Sequence, residues 1–139
     1  MITTQNVALD SCVVISMIED PRLGLKFKQG LKGKSVKIVL CDIVLSEVNR
    51  VRGYAKPYII SKISKILGRS ITLQQTNSQE KEDAQKLSKQ FLECHNGDNL
   101  ILALCKIWNY ILVTFDRALL RTCNIVGVIA CNPLQAGGI

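Results

Sequence analysis

Short apolar runs rich in β-branched residues recur along this chain, separated by segments with helical periodicity. That alternation leaves few architectures open. Asn6-Val7-Ala8-Leu9, Ser35 to Cys41, Ile71-Thr72-Leu73, Ile111 to Phe115 and Ile125 to Ala130 are the strand candidates. Helices are expected over Ser11–Asp20, Leu23–Leu31, Ile43–Arg52, Pro57–Leu67, Gln79–Cys94 and Asp98–Trp108, with a helical turn from Asp116 to Arg121. Strands that alternate with helices from end to end imply the α/β class, a mostly parallel sheet covered on both faces. Nearly continuous apolar strands agree, because a strand buried on both sides has no polar face. With 139 residues and neither a repeat nor a linker, a single domain over residues 1–139 is expected.

The punctuation supports these boundaries. Pro21 stops the first helix, because the residue before a proline is driven out of the α region. Gly30 and Gly33 end the second. Asp42 is a good N-cap for the helix that Gly53 closes, Pro57 opens the next and Gly68 closes it. Ser78 is expected to cap the helix that follows, with Glu80, Glu82 and Asp83 near its positive end and Leu87, Phe91 and Cys94 as its inner stripe. The helix from Asp98 is apolar nearly all round and should be buried.

Composition narrows the function classes. The longest apolar runs are too short to span a bilayer, and Met1 to Asn6 has neither the charge nor the apolar core of a signal peptide, so a soluble, cytoplasmic protein with no membrane partner is expected. Six cysteines occur without a C-x-x-C pair and beside one histidine, which argues against a zinc site and for buried thiols. The net charge is +7, but residues 22–69 hold twelve Lys/Arg against only Asp42 and Glu47. Such a block favours a polyanionic partner through counterion release.

Against this basic background four acids stand out. In a parallel sheet the C-terminal strand ends share one edge, where ligands bind. Asp10 and Asp116 each close a strand candidate, Asp98 opens a helix and Glu47 lies in the first turns of one. Each aspartate alone could be a helix cap. Glu47 shares a helical stripe with Val44, Val48 and Val51, and Asp98 with Ile101, Leu102 and Cys105, so both are expected to face inward. Inward-facing acids are costly unless paired or metal-bound. An oxygen-only donor set suits Mg²⁺ or Mn²⁺, and one or two such ions would activate water for phosphodiester displacement.

These residues resemble the PIN domain (PilT N-terminal) nucleases, which include the VapC-type toxins. The likeness rests on Leu9-Asp10-Ser11, Leu45-Ser46-Glu47-Val48, Gly97-Asp98-Asn99-Leu100-Ile101-Leu102-Ala103 and Val113-Thr114-Phe115-Asp116-Arg117-Ala118-Leu119. The resemblance implies a three-layer α/β/α sandwich with a five-stranded sheet in the order 3-2-1-4-5. It implies Mg²⁺- or Mn²⁺-dependent endoribonuclease activity on RNA, an antitoxin protein as partner, and often a homodimer. Asp10, Glu47, Asp98 and Asp116 would form the metal site, with Thr114 orienting ligands or water. Ala118, Leu119 and Leu120 supply no further acid where some members carry one.

His95 reads as a helix-end residue, Asp42 as a cap, and Trp108 and Tyr110 as core and strand entry. Arg50, one turn from Glu47, would meet a phosphate or pair with an acid. Asn99 would either bind a metal water or be exposed. The competing class is a catalytically inactive PIN-like module that binds RNA or protein. A phosphoacceptor domain would need an acid where Cys12 stands.

Overall fold

The computed structural model describes residues 4–90 and 98–139, without the side chains of residues 87–90 and 98. The strands β1 (Gln5–Leu9), β2 (Val36–Cys41), β3 (Ile71–Gln74), β4 (Ile111–Val113) and β5 (Ala130–Cys131) form one sheet in the order β3-β2-β1-β4-β5. Every pairing is parallel, with Val7 opposite both Ile38 and Ile111. Helices cover both sides of the sheet. β4 is buried throughout, and β1, at the centre of the sheet, is buried at Val7, Ala8 and Leu9. Consecutive buried residues put apolar side chains on both faces, as the continuous apolar runs required.

Between the strands lie α1 (Ser11–Glu19), α2 (Pro21–Gly30), α3 (Asp42–Arg52), α4 (Lys56–Leu67), α5 (Ser78–Gln90), α6 (Asp98–Trp108) and α7 (Arg117–Val126), and a 3-10 helix follows at Pro133–Gly138. α1 ends before Pro21, and that proline opens α2 directly, with the Asp20 carboxylate accepting from the Arg22 N–H at 3.1 Å. α2 packs on α1 and α4. At the α2–α4 crossing Gly24 lies against Ile66, and a Cβ there would run into the isoleucine methyl. Arg69 locks the turn before β2. Its guanidinium donates to Leu31 O at 3.1 Å, Lys34 O at 3.3 Å and Val36 O at 3.0 Å.

The structure departs from the sequence expectations at several points. α5 is capped by Asn77, not Ser78: Asn77 Oδ1 accepts from Glu80 N at 3.0 Å and Glu80 Oε2 accepts from Asn77 N at 2.9 Å, a reciprocal capping box. The stripe expected at Leu87, Phe91 and Cys94, and His95, lie outside the described side chains. Val51 is exposed, so the α3 stripe stops at Val48. β4 ends at Val113, two residues earlier than expected, which leaves Phe115 at the surface.

The largest difference is at Ile125 to Ala130, where a strand was expected. α7 continues through Val126, and β5 keeps only Ala130 and Cys131. Leu119, Thr122, Cys123 and Val126 fall at helical spacing, and the first three are buried. Gly127, at φ 83°, terminates the helix in the left-handed region with its N–H on Cys123 O. Packing of that stripe outweighs the local β preference of Ile125 and Val126.

Cys12, Cys41, Cys105 and Cys131 are free thiols. Burial, with the nearby Asp42 and Glu80 carboxylates adding to it, pushes Cys41 up to about 12, and burial raises Cys105 well above the usual thiol range. The unfolded chain therefore loses these protons first as pH rises. The Cys41 contribution is complete below pH 9 and is lost as pH climbs through its folded value of about 12. Alkaline titration followed by circular dichroism should show stability falling over that window. Cys41→Ala should flatten the dependence.

Candidate active site

The order β3-β2-β1-β4-β5 means that the chain steps outward from β1 in one direction and then returns to β4 on its other side. The crevice beyond the C-terminal ends of β1 and β4 is thus the topological switch point of the sheet. Asp10 and Thr114 stand there, each one residue past its strand. The β1–β4 ladder reaches into the site, because Asp10 N donates to Val113 O at 3.0 Å.

Asp10 is buried, with 5% of its surface exposed. Its Oδ1 caps α1 by accepting from Ser11 N at 2.8 Å. Its Oδ2 accepts from Thr114 Oγ1 at 2.7 Å and from the Cys12 thiol at 3.5 Å. Thr114 is fully buried and its hydroxyl in turn accepts from Asp116 N at 3.1 Å. One hydroxyl therefore fixes both the rotamer of Asp10 and the backbone that presents Asp116. Asp116 caps α7, its Oδ1 accepting from Leu119 N at 3.1 Å, and its side chain is exposed at the rim.

Glu47 is half-buried on α3, a helix that packs against both α1 and α6. Asp98 opens α6, whose buried face runs through Ile101, Leu102 and Cys105, and α6 also packs against α7. The helices that begin at or carry the four acids thus pack in series, α1 on α3, α3 on α6 and α6 on α7. The Asp98 side chain lies outside the described residues. Among those described, no three Asp, Glu, His or Cys side chains form a set able to hold a metal ion.

Electrostatics single out Asp10. Salt bridges among the described residues join Arg22 to Asp20 and Arg52 to Glu19, both at the surface. Neither Asp10, Glu47 nor Asp116 has such a partner, and Arg50 does not pair with Glu47. Among the described residues Asp10 is held by dipoles and not by a cation, and a buried carboxylate without a counter-charge is costly. Beside its own carboxylate oxygens stand the Thr114 hydroxyl and one thiol. Burial, then the Asp10 charge, raises that Cys12 thiol to about 11, so it stays protonated as a donor. A hard divalent cation suits this oxygen set.

Other sequence candidates fall elsewhere. Asp42 is the first residue of α3, not the residue before it. Its Oδ1 accepts from Ile43 N at 2.8 Å, Thr76 N at 3.2 Å and Thr76 Oγ1 at 2.6 Å, tying α3 to the loop before α5. Asn99 is half-buried and donates to Ala84 O at 3.1 Å, which clamps the start of α6 to α5. Trp108 is half-exposed and Tyr110 buried. They donate to Glu80 Oε1 at 2.8 Å and Gln74 Oε1 at 2.6 Å respectively. Sequence reasoning missed two residues. Cys12 touches Asp10, and its only signal was a polar atom two positions beyond a strand-closing acid. Glu80 is fully buried, and the Asn77-x-x-Glu80 spacing announced it.

A parallel sheet in this order, with an aspartate held at its switch point, defines an α/β domain whose candidate ligand site lies at its C-terminal edge. The PIN domain model matches residues 7–125, and the chain belongs to the PIN domain family. PIN domains are a family of nucleases that typically use divalent metal ions. No curated protein sequence gives a match. Among solved structures, VapBC2 from Rickettsia felis bound to a DNA fragment from its promoter is similar, with TM-score 0.63, 19% identity, and coverage of 92% of this chain and 98% of that one. VapBC-1 from nontypeable Haemophilus influenzae gives TM-score 0.67 and 14% identity over 93% and 98%. A protein of Pyrobaculum aerophilum gives 0.53 and 15% over 92% of each chain. At these identities the likeness is one of fold.

Proposed function

We propose that this chain is a Mg²⁺- or Mn²⁺-dependent endoribonuclease, working in the cytoplasm as the toxin of a toxin–antitoxin pair, with residues 1–139 as one PIN domain. The observation that carries the reading is the buried Asp10 carboxylate, fixed by Thr114 at the switch point and without a cationic side chain to balance it. Membership of a nuclease family and the VapBC-like fold support it. Asp10, Glu47, Asp98 and Asp116 would hold the metal. When bound, the ion supplies an activated water and balances charge that develops on the phosphodiester oxygens.

The chain's own contribution is positioning. Thr114 aims Oδ2 of Asp10 and the Asp116 backbone together, and the α1 terminus anchors Oδ1. Asp116, at the exposed rim, lies where a substrate strand enters. The chain's overall excess of lysine and arginine favours RNA as the polyanionic substrate. An antitoxin would occupy the same edge to silence the site. Most apolar side chains of residues 12–31 and 57–67 are buried between α1, α2 and α4, so a homodimer face there would rest on the exposed Leu25 and Tyr58.

Chelation provides the direct test. Incubation with EDTA should stop cleavage of a labelled RNA while circular dichroism stays unchanged, and Mg²⁺ or Mn²⁺ should restore it. Undiminished cleavage in EDTA would remove the metal from the proposal. Binding of RNA with no turnover in any divalent metal would instead favour a non-cleaving binding module.

A further inference from the structure

The basic excess is not centred on the candidate active site. It gathers at the opposite, N-terminal edge of the sheet, around Arg69. The three carbonyls that Arg69 holds belong to Leu31, Lys34 and Val36, so residues 31–36 and the end of α4 are neighbours. Lys28 reaches over Gly68, its Nζ 3.3 Å from where a Cβ would stand. Lys32, Lys37 and Lys65 flank these positions in the chain, and with Lys28 all are exposed.

Three of the local cations have structural work. Arg69 satisfies buried carbonyls, Lys34 Nζ donates to Ile139 O at 2.8 Å, and Lys28 lies beside the C-terminal end of α4, where its charge suits the helix dipole. Lys32, Lys37 and Lys65 have none. No Asp or Glu occurs in residues 21–41 or 48–79. Among the described residues none of these lysines pairs with a carboxylate. Exposed like charges on neighbouring stretches of chain, with no carboxylate among them, favour an external polyanion.

We infer that this collar is a second RNA contact, an exosite for the phosphate backbone of a structured substrate, remote from the bond that is cut. The inference rests on the RNA-cleaving reading above and adds the substrate's size. β2 runs from the collar at Val36 to the C-terminal edge at Cys41, about 17 Å at the usual strand rise. That span matches about five base-pair steps of a duplex at 3.4 Å each. A tetranucleotide lying at the active site leaves the collar empty, whereas a folded RNA that bends round the domain reaches both.

The experiment separates binding from cleavage. Anisotropy of a labelled RNA hairpin of about 16 base pairs is measured against the whole, metal-free protein in EDTA, between about 50 and 200 mM salt. The variant is Lys32→Ala/Lys37→Ala/Lys65→Ala, which changes only exposed side chains. It should bind at least about 10-fold more weakly and lower the slope of log K against log salt by about 2 to 3, near 0.9 per lost phosphate contact. With Mg²⁺ restored, variant and wild type should cleave a tetranucleotide equally. Equal affinity and slope for the variant would overturn the exosite. So would complete displacement of the hairpin by polyglutamate at matched charge, which would assign the surface to an acidic protein. If the wild type binds the hairpin with its full salt slope and cleaves neither RNA, the nuclease reading falls and the exosite stands.

Discussion

Asp10→Asn is expected to leave the fold intact and to reduce RNA cleavage by well over 100-fold. The amide is nearly isosteric. Its oxygen can still cap Ser11 N, and its NH₂ can donate to the Thr114 hydroxyl in place of the bond it loses. What disappears is the buried negative charge, the feature that calls for a cation at the switch point. Loss of a neighbour that only orients a metal ligand costs about 10–100-fold, so loss of a ligand should exceed that. Thr114→Val is the matched control, because it keeps the charge and removes the hydroxyl; its loss should fall within about 10–100-fold. Single-turnover cleavage with thermal melts of both variants distinguishes these outcomes. Full activity of Asp10→Asn in a folded protein would eliminate the site.

The largest effect on stability is expected at Phe27. Its side chain is fully buried on α2, the helix that packs on α1 and α4 and, at its end, meets the 3-10 helix through Gly30 and Ala136. Phe27→Ala should cost about 3–5 kcal/mol, from lost transfer energy and the cavity left behind. That is a large share of the about 5–15 kcal/mol that holds a typical domain together. Leu25→Ala, on the exposed side of the same helix, should stay within about 0.5 kcal/mol. Urea unfolding measures both. Cleavage per folded molecule should be unchanged by either, since neither residue approaches Asp10.

The sheet was legible because a strand buried on both faces admits no polar residue, and Val7 to Leu9, Ile38 to Cys41 and Ile111 to Val113 display that directly. Glycine caps at 53 and 68 were legible for a similar reason, each sitting at a φ that side chains resist. Ile125 to Ala130 misled because local composition carries no record of what α7 packs against. At the site, positions of acids relative to strand ends were readable, since the switch point follows from topology. Their burial was not. Asp10 is enclosed, Glu47 half so and Asp116 exposed, and those differences depend on neighbours far away in the chain. The bond between Trp108 and Glu80 was hidden for the same reason.

The bond between Asp10 and Thr114 joins residues 104 positions apart. Asp10 and the helix it caps belong to the first strand–helix unit, but the hydroxyl that orients this carboxylate comes only after β4. A partly made chain therefore carries the aspartate without the geometry that makes it useful. Any fragment that stops short of Thr114 would keep Asp10 and lose the hydroxyl that sets its rotamer, so the order of the carboxylate is a property of the assembled sheet and not of the first strand.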